Sequence, residues 1–202
     1  MELILASKSA RRQEILRNLN IRYTVFTEDV DESLDVPVAP DEAVRCLAER
    51  KLRAAAAALG GDTGIGEDRI LLSADTVVAL DGEIYGKPKD EADAIRMLRS
   101  MSGRTHSVYT GYAVMRGDRI EVGAEETQVT FRPITDEDIR FYIRTEPPYD
   151  KAGAYGIQEL AGLFVAGIRG DYFNIVGLPV SAIAHRCREA LGVSFFDLVA
   201  RD

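Results

Sequence analysis

The sequence predicts an α/β domain with a mixed sheet, α+β segregation being the nearest alternative. Two observations lead there. Short apolar strand-like runs alternate with helix-period segments along the whole chain. The pairs Asp81-Gly82, Gly117-Asp118 and Gly170-Asp171 sit beside strand-like runs and read as hairpin turns. No repeat, low-complexity tract or linker interrupts residues 1–202, so one domain is expected.

Residues 2–6 are an apolar run, followed by Ser7-Lys8-Ser9 and a helix pattern with Ile15, Leu16 and Leu19. This reads as strand, tight junction, helix. A strand-like stretch, 22–27, leads into an acidic loop at 28–32. Pro40-Asp41 then starts a long helix through Val44, Leu47, Ala48 and Leu52, which Gly60-Gly61 stops. A strand over 70–80 turns at Asp81-Gly82 and returns through 83–85. A helix at 91–101 carries Ile95, Leu98 and Met101 on one stripe. Residues 107–115 and 119–133 form a hairpin, and Thr135 caps a helix with an acidic first turn, as the helix dipole favours. A glycine-rich segment, 152–162, precedes another hairpin at Gly170-Asp171, and Pro179 opens a last helix ending near Gly192.

Composition excludes several function classes. With 25 Lys plus Arg against 33 Asp plus Glu, the net charge is -8. A nonspecific nucleic-acid binder needs many cations to displace counterions, so any anion bound here is met locally. A chain of 202 residues, 46% hydrophobic, can bury roughly 70% of its unfolded surface and needs no covalent staple. Cys46 and Cys187 fall in separate amphipathic helices, which predicts neither a disulfide framework nor a zinc knuckle. The opening apolar run is too short for a signal peptide, and no apolar stretch approaches the ~20 residues of a membrane span. A soluble cytosolic protein without membrane or nucleic-acid partners is expected.

Two segments carry candidate chemistry. Ser7-Lys8-Ser9-Ala10-Arg11-Arg12 spans a strand-to-helix junction. Two arginines in a first helical turn oppose the dipole by roughly 0.3–1 kcal/mol each. A phosphate at that N-terminus reverses the penalty, taking backbone N–H groups, a serine hydroxyl and forked guanidinium donors. The plainer reading is that Ser9 caps the helix while the arginines face solvent. The second segment is Ser73-Ala74-Asp75-Thr76-Val77-Val78. A carboxylate inside an apolar strand must be paired, metal-bound or shifted in pKa, which makes Asp75 the leading functional candidate. It suits Mg²⁺, which takes few carboxylates, or a base acting on water.

Supporting cations follow. Continuing the 81–82 hairpin register sets Thr76 opposite Lys87, so Lys87 meets Asp75 only if Gly86 and Pro88 break the pleat. Lys51 lies near the apolar face of its helix, where a snorkelling stem or a phosphate contact accounts for it. The loop Asp29-Val30-Asp31-Glu32 can add carboxylates to a metal. The spacing from Gly82 to Gly86-Lys87 is one residue short of a P-loop, and His106 and His185 stand alone in helices or loops, as structural histidines do.

Taken together, Leu5-Ala6-Ser7-Lys8-Ser9-Ala10-Arg11-Arg12, Ser73-Ala74-Asp75-Thr76-Val77-Val78, Gly86-Lys87-Pro88, Ser102-Gly103-Arg104-Thr105-His106-Ser107-Val108, Lys151-Ala152-Gly153-Ala154-Tyr155-Gly156-Ile157-Gln158 and Asn174-Ile175-Val176-Gly177-Leu178-Pro179 resemble the Maf-like nucleoside triphosphate pyrophosphatases. Ala10 departs from the family's usual proline. The resemblance implies cleavage of a nucleoside triphosphate between its α- and β-phosphates with Mg²⁺ or Mn²⁺. It implies Asp75 as proton acceptor and metal ligand, Glu32 as second metal ligand, and Ser7, Arg12, Lys51 and Lys87 as phosphate contacts. The Lys-Ala-Gly-Ala-Tyr-Gly-Ile-Gln form is similar to the branch acting on dTTP and UTP, in which Arg11, Thr76 and Gln158 set substrate choice. The implied fold is inosine triphosphatase-like, an elongated central mixed sheet flanked by helices in two lobes about a cleft, commonly in a homodimer. The same chemistry on another base such as 7-methyl-GTP, and a noncatalytic regulator of cell division, stay open as alternatives.

Overall fold

The computed structural model describes residues 1–33, 38–60 and 65–200. Strand β1 (Glu2–Leu5) leads through Ser7 and Ser9 into helix α1 (Ala10–Asn18), whose N-cap Ser9 accepts the Arg12 N–H at 3.4 Å. Ile15 and Leu16 are buried, whereas Leu19, just past the helix, is exposed. After β2 (Tyr23–Val25) and the acidic loop comes α2 (Pro40–Gly60), with Pro40 at its start and Asp41 and Glu42 in its first turn. Gly61, the other half of the expected stop signal, lies outside the described residues.

Strand β3 (Arg69–Leu80) turns through Asp81 and Gly82, both at positive φ as a tight two-residue hairpin requires, into β4 (Glu83–Tyr85). Leu80 faces Glu83, the expected register. Helix α3 (Glu91–Met101) is capped by Asp90 and buries Ile95, Leu98 and Met101. The hairpin of β5 (Thr105–Arg116) and β6 (Arg119–Phe131) precedes α4 (Asp136–Thr145), which opens on a reciprocal capping box between Thr135 and Asp138.

At Gly170-Asp171 the expected hairpin does not form. Strand β7 (Val165–Arg169) pairs with β6, and the chain then enters α5 (Tyr172–Val176). Asp171 accepts the Phe173 N–H at 2.8 Å, while its own N–H donates to Thr127 Oγ1 at 3.0 Å. Asp after Gly serves a helix N-cap as readily as a turn. Helix α6 (Val180–Leu191) ends at Gly192 in the left-handed conformation. Among the described residues no helix is long and apolar enough to cross a membrane, and both cysteines are free thiols.

The seven strands form one mixed sheet in the order β2-β1-β3-β5-β6-β7, with β4 beside β3. Strand β1 is parallel to β2 and β3; the other pairings are antiparallel. Twelve residues make β3 about 40 Å long, and its side chains alternate between faces. Ile70, Leu72 and Ala74 pack with α1 and α6; farther along the same face, Val78 and Leu80 pack with α3 and α4. Thr76 lies between these two clusters. On the opposite face Leu71 belongs to the cluster built on α2, and Ser73 donates to the Ala48 carbonyl at 2.6 Å.

Helix α2 comes so close because β5 offers Gly111, the register partner of Asp75. A Cβ there would lie 2.3 Å from the Val44 carbonyl carbon. Gly111→Ala is expected to lower the melting temperature by roughly 3–10 °C, since overpacking costs about 1–3 kcal/mol. Gly167→Ala, where nothing lies within 4 Å, is the matched control and should change little.

His106 sits in β5, not in a helix or loop, and is 2% exposed. Its Nε2 lies 2.8 Å from the Tyr155 hydroxyl, and its ring meets Phe131 edge-on. Burial pulls its pKa from 6.5 to about 4. The unfolded chain therefore takes up a proton as pH falls through 6.5, while the folded chain does so only near 4. Stability present above this window is lost within it, by up to roughly 3 kcal/mol. Denaturant titrations should show a shallower dependence on pH between 6.5 and 4 for His106→Gln than for the wild type, whatever the variant costs in absolute stability.

Candidate active site

Strand β3 is paired with β5 without a break from Leu71 to Ala79, but its other side is interrupted. Strand β1 accompanies residues 69–72, and β4 begins at Val78. Between them residues 73–77 have no strand partner on that side among the described residues, so Asp75 and Thr76 flank a gap in the sheet. As successive strand residues they face opposite ways. A ligand entering the gap meets both, at the carboxyl end of β1, where open α/β sheets commonly bind ligands.

On the Thr76 face the gap is filled by Arg12. Its Nε donates to the Gly177 carbonyl at 2.7 Å, Nη1 to Ser7 Oγ at 3.1 Å, and Nη2 to Thr76 Oγ1 at 3.0 Å. Thr76 Oγ1 lies 2.9 Å from Thr110 Oγ1, and Thr110 donates onward to the Asn174 carbonyl at 2.9 Å. Donation therefore runs in one direction, from guanidinium to Thr76 to Thr110 to backbone. Burial pulls the Arg12 pKa below its ordinary value, with the Asp75 charge opposing. All three hydrogen-bond partners are neutral oxygens. A desolvated cation without a direct anionic partner is a strong attractor for phosphate. Arg12 thus departs from the solvent-facing reading, as does Arg11, whose side chain is only 25% exposed and is paired with Asp150.

The Asp75 face is ionic. Lys51 Nζ lies 2.5 Å from Asp75 Oδ1 and 2.6 Å from Glu32 Oε1. The Lys51 and Asp75 side chains are only 18% and 13% exposed. Lys51 reaches Asp75 because α2 and β3 advance together: Ala48 meets Ser73, and one helical turn later Lys51 meets Asp75. The hydrogen bond from Lys51 holds the Glu32 pKa down against burial, and the charges of Lys87 and Arg12 add to it. Within the acidic loop Asp29 is taken by Lys8 at 2.7 Å and Asp31 by the Ser33 N–H at 2.8 Å. Arg50 bonds the Asp31 and Ser33 carbonyls, which sets Glu32 over Lys51.

Glu32 and Asp75 converge on a single cation, and this donor set fits a divalent ion. Magnesium commonly takes one or two carboxylates and completes its shell with water and substrate phosphate. No group of three or more His, Cys, Asp or Glu suited to a metal occurs among the described residues.

These residues line one cleft of about 940 Å³. Lys87 is exposed on its wall, where the chain has left the ladder after Tyr85. The break expected at Gly86 is real: the Gly86 carbonyl accepts the Gly153 N–H at 3.0 Å instead of pairing with β3. Gln158 is exposed at the same cleft. Arg11 crosses its mouth to Asp150, Nη1 donating to Oδ2 at 2.8 Å. The cleft thus gathers Ser7, Arg11, Arg12, Glu32, Lys51, Asp75, Thr76, Lys87 and Gln158.

Sequence reasoning missed Asp150, Thr110 and Asn174. The segment from Asn174 to Gly177 shows no chemical group that marks a task, because its backbone does the work: the Asn174 carbonyl accepts from Thr110 and the Gly177 carbonyl from Arg12. Asp150 directly precedes a quoted block, and its charge beside Lys151 was the available signal.

The chain matches the Maf-like protein family over residues 2–190. A dTTP/UTP pyrophosphatase of Symbiobacterium thermophilum is 49% identical over 89% of each chain. Another of that name, from Bacillus velezensis, is 43% identical over 93% of this chain and 95% of its own. Among solved structures, the Staphylococcus aureus Ham1 protein is similar at TM-score 0.45 and 18% identity, over 65% of this chain and 72% of that one, too distant a likeness to bear on the reading. With the family pattern spanning nearly its whole length, the chain belongs to the Maf-like protein family.

Proposed function

We propose that this protein hydrolyses dTTP and UTP to the nucleoside monophosphate and pyrophosphate, with a divalent ion, Mg²⁺ or Mn²⁺, held by Glu32 and Asp75. The observation that carries the reading is the meeting, across the sheet gap, of the half-buried Arg12 guanidinium, whose hydrogen bonds go to neutral oxygens including Thr76 Oγ1, and the nearly buried carboxylate of Asp75, the residue beside Thr76 on β3. Relatives named dTTP/UTP pyrophosphatase supply the substrate class.

In this reading Arg12, with Ser7, takes the phosphate that enters the gap and regains an anionic partner. Lys51 and Lys87 neutralise further phosphate charge from the α2 side and the outer wall. The bound ion adds charge compensation and Lewis acidity at the phosphates. Asp75 takes a proton from a water molecule as the water oxygen bonds the α-phosphorus. The bond from that phosphorus to the bridging oxygen breaks, and pyrophosphate leaves. Positioning and charge neutralisation carry most of the work in such a transfer. Gln158 offers one donor and one acceptor, matching the O4 and N3–H edge of uracil or thymine.

Asp75→Asn tests the acid–base assignment. With folding verified by melting temperature, turnover of UTP should fall at least about a hundredfold while the nucleotide still binds. Turnover within a few-fold of wild type would overturn the role of Asp75.

A further inference from the structure

Arg11 and Arg12 are neighbours in the first turn of α1 but part company. Arg12 turns into the sheet gap, whereas Arg11 spans the mouth of the cleft to a residue 139 positions away. Asp150 holds both arms of that guanidinium: Oδ2 accepts from Nη1 at 2.8 Å and the backbone carbonyl accepts from Nη2 at 3.3 Å. A guanidinium has more N–H groups than these two bonds use. Asp150 is itself fixed, because Oδ1 lies 3.2 Å from Lys151 Nζ. The Lys151 side chain is only 7% exposed and has a second partner in Glu159 Oε2 at 3.0 Å. Glu159 follows Gln158 directly. The segment from Lys151 to Glu159 closes on this ion pair: a Cβ at Gly156 would lie 2.7 Å from Glu159 Oε2 and 3.0 Å from Lys151 Cε. One buried ammonium therefore links the residue that holds Arg11 to the residue beside Gln158.

This linkage has a chemical use. A Gln amide fits uracil in one orientation and cytosine in the other, because both bases present one donor and one acceptor on that edge. Arg is donor-only. A guanidinium held beside Gln158 donates to the keto O4 of uracil or thymine and opposes the amino group cytosine carries there. A residue that fixes the guanidinium in advance also removes the entropy of ordering it on binding.

We propose that Asp150 is a positioning residue for Arg11, holding it on the nucleoside side of the cleft so that a donor-only group selects keto pyrimidines over cytosine. The proposal rests on the dTTP/UTP reading and on Arg11 and Gln158 as the base-reading pair.

The test compares kcat and KM for UTP and CTP in wild type, Arg11→Ala, Asp150→Asn, Asp150→Glu and the Arg11→Ala/Asp150→Asn double variant. Asp150→Asn should reduce the UTP-over-CTP preference about tenfold, mainly through KM, with kcat on UTP within about twofold of wild type. Asp150→Glu, which keeps the carboxylate, should restore much of the preference. The double variant should discriminate no worse than Arg11→Ala alone, as two residues acting through one group do. If Asp150→Asn fails to fold, Asp150→Ser, which also removes the carboxylate that holds Arg11, carries the same expectation. Loss of preference in Arg11→Ala with full preference in Asp150→Asn would overturn the positioning role alone, as would an equal fall of kcat on both nucleotides. Unchanged preference in Arg11→Ala would overturn the base-reading role of Arg11 and the proposal with it. No pyrophosphate from either nucleotide in wild type would overturn the functional reading beneath both.

Discussion

The missing strand beside residues 73–77 of β3 is the constraint on which the site depends. In a fully paired sheet, Asp75 and Thr76 would lie on opposite faces with no ligand able to reach both. Because β1 stops pairing at Leu72 and β4 starts at Val78, the two side chains border one opening. The flanking packing preserves it. Clusters on α1 and α6 at one end, and on α3 and α4 at the other, hold the strand ends. Gly111 admits α2 close behind, so that Lys51 comes within 2.5 Å of Asp75.

The two sides of the gap carry complementary charge states. Arg12 is half-buried among neutral acceptors and, among the described residues, has no anion in direct contact. Asp75 and Glu32 share the single cation of Lys51 and together hold one negative charge more than it balances. A phosphate relieves the first imbalance and a divalent ion the second. In the proposed reading a metal–triphosphate substrate would bring both at once, so an acidic chain could bind a polyanion through local compensation.

Much of this was legible in the residues. The register of the Asp81-Gly82 hairpin, the Thr135 cap and the Pro40 helix start are set by neighbours a few positions apart, and the structure has each of them. Asp75 stood out because a carboxylate in an apolar strand requires a partner; its partner, Lys51, stood out separately as a cation on an apolar face. What local pattern could not supply was long-range pairing. The Arg11–Asp150 bridge and the chain from Arg12 to Asn174 join segments more than a hundred positions apart. Asp171 misled for a different reason: turn and helix-cap preferences coincide in Asp, and only the hydroxyl of Thr127 on β6 decides between them.

The central claim is that this cleft cleaves one particular bond in one class of nucleotide. The most direct measurement incubates the purified protein with Mg²⁺ and each canonical triphosphate, quantifying pyrophosphate, orthophosphate and nucleoside monophosphate separately. Pyrophosphate and monophosphate are expected in equal amounts from UTP and dTTP, with little from the purine nucleotides. Orthophosphate as the first product, or saturable binding without any turnover across the panel, would contradict it.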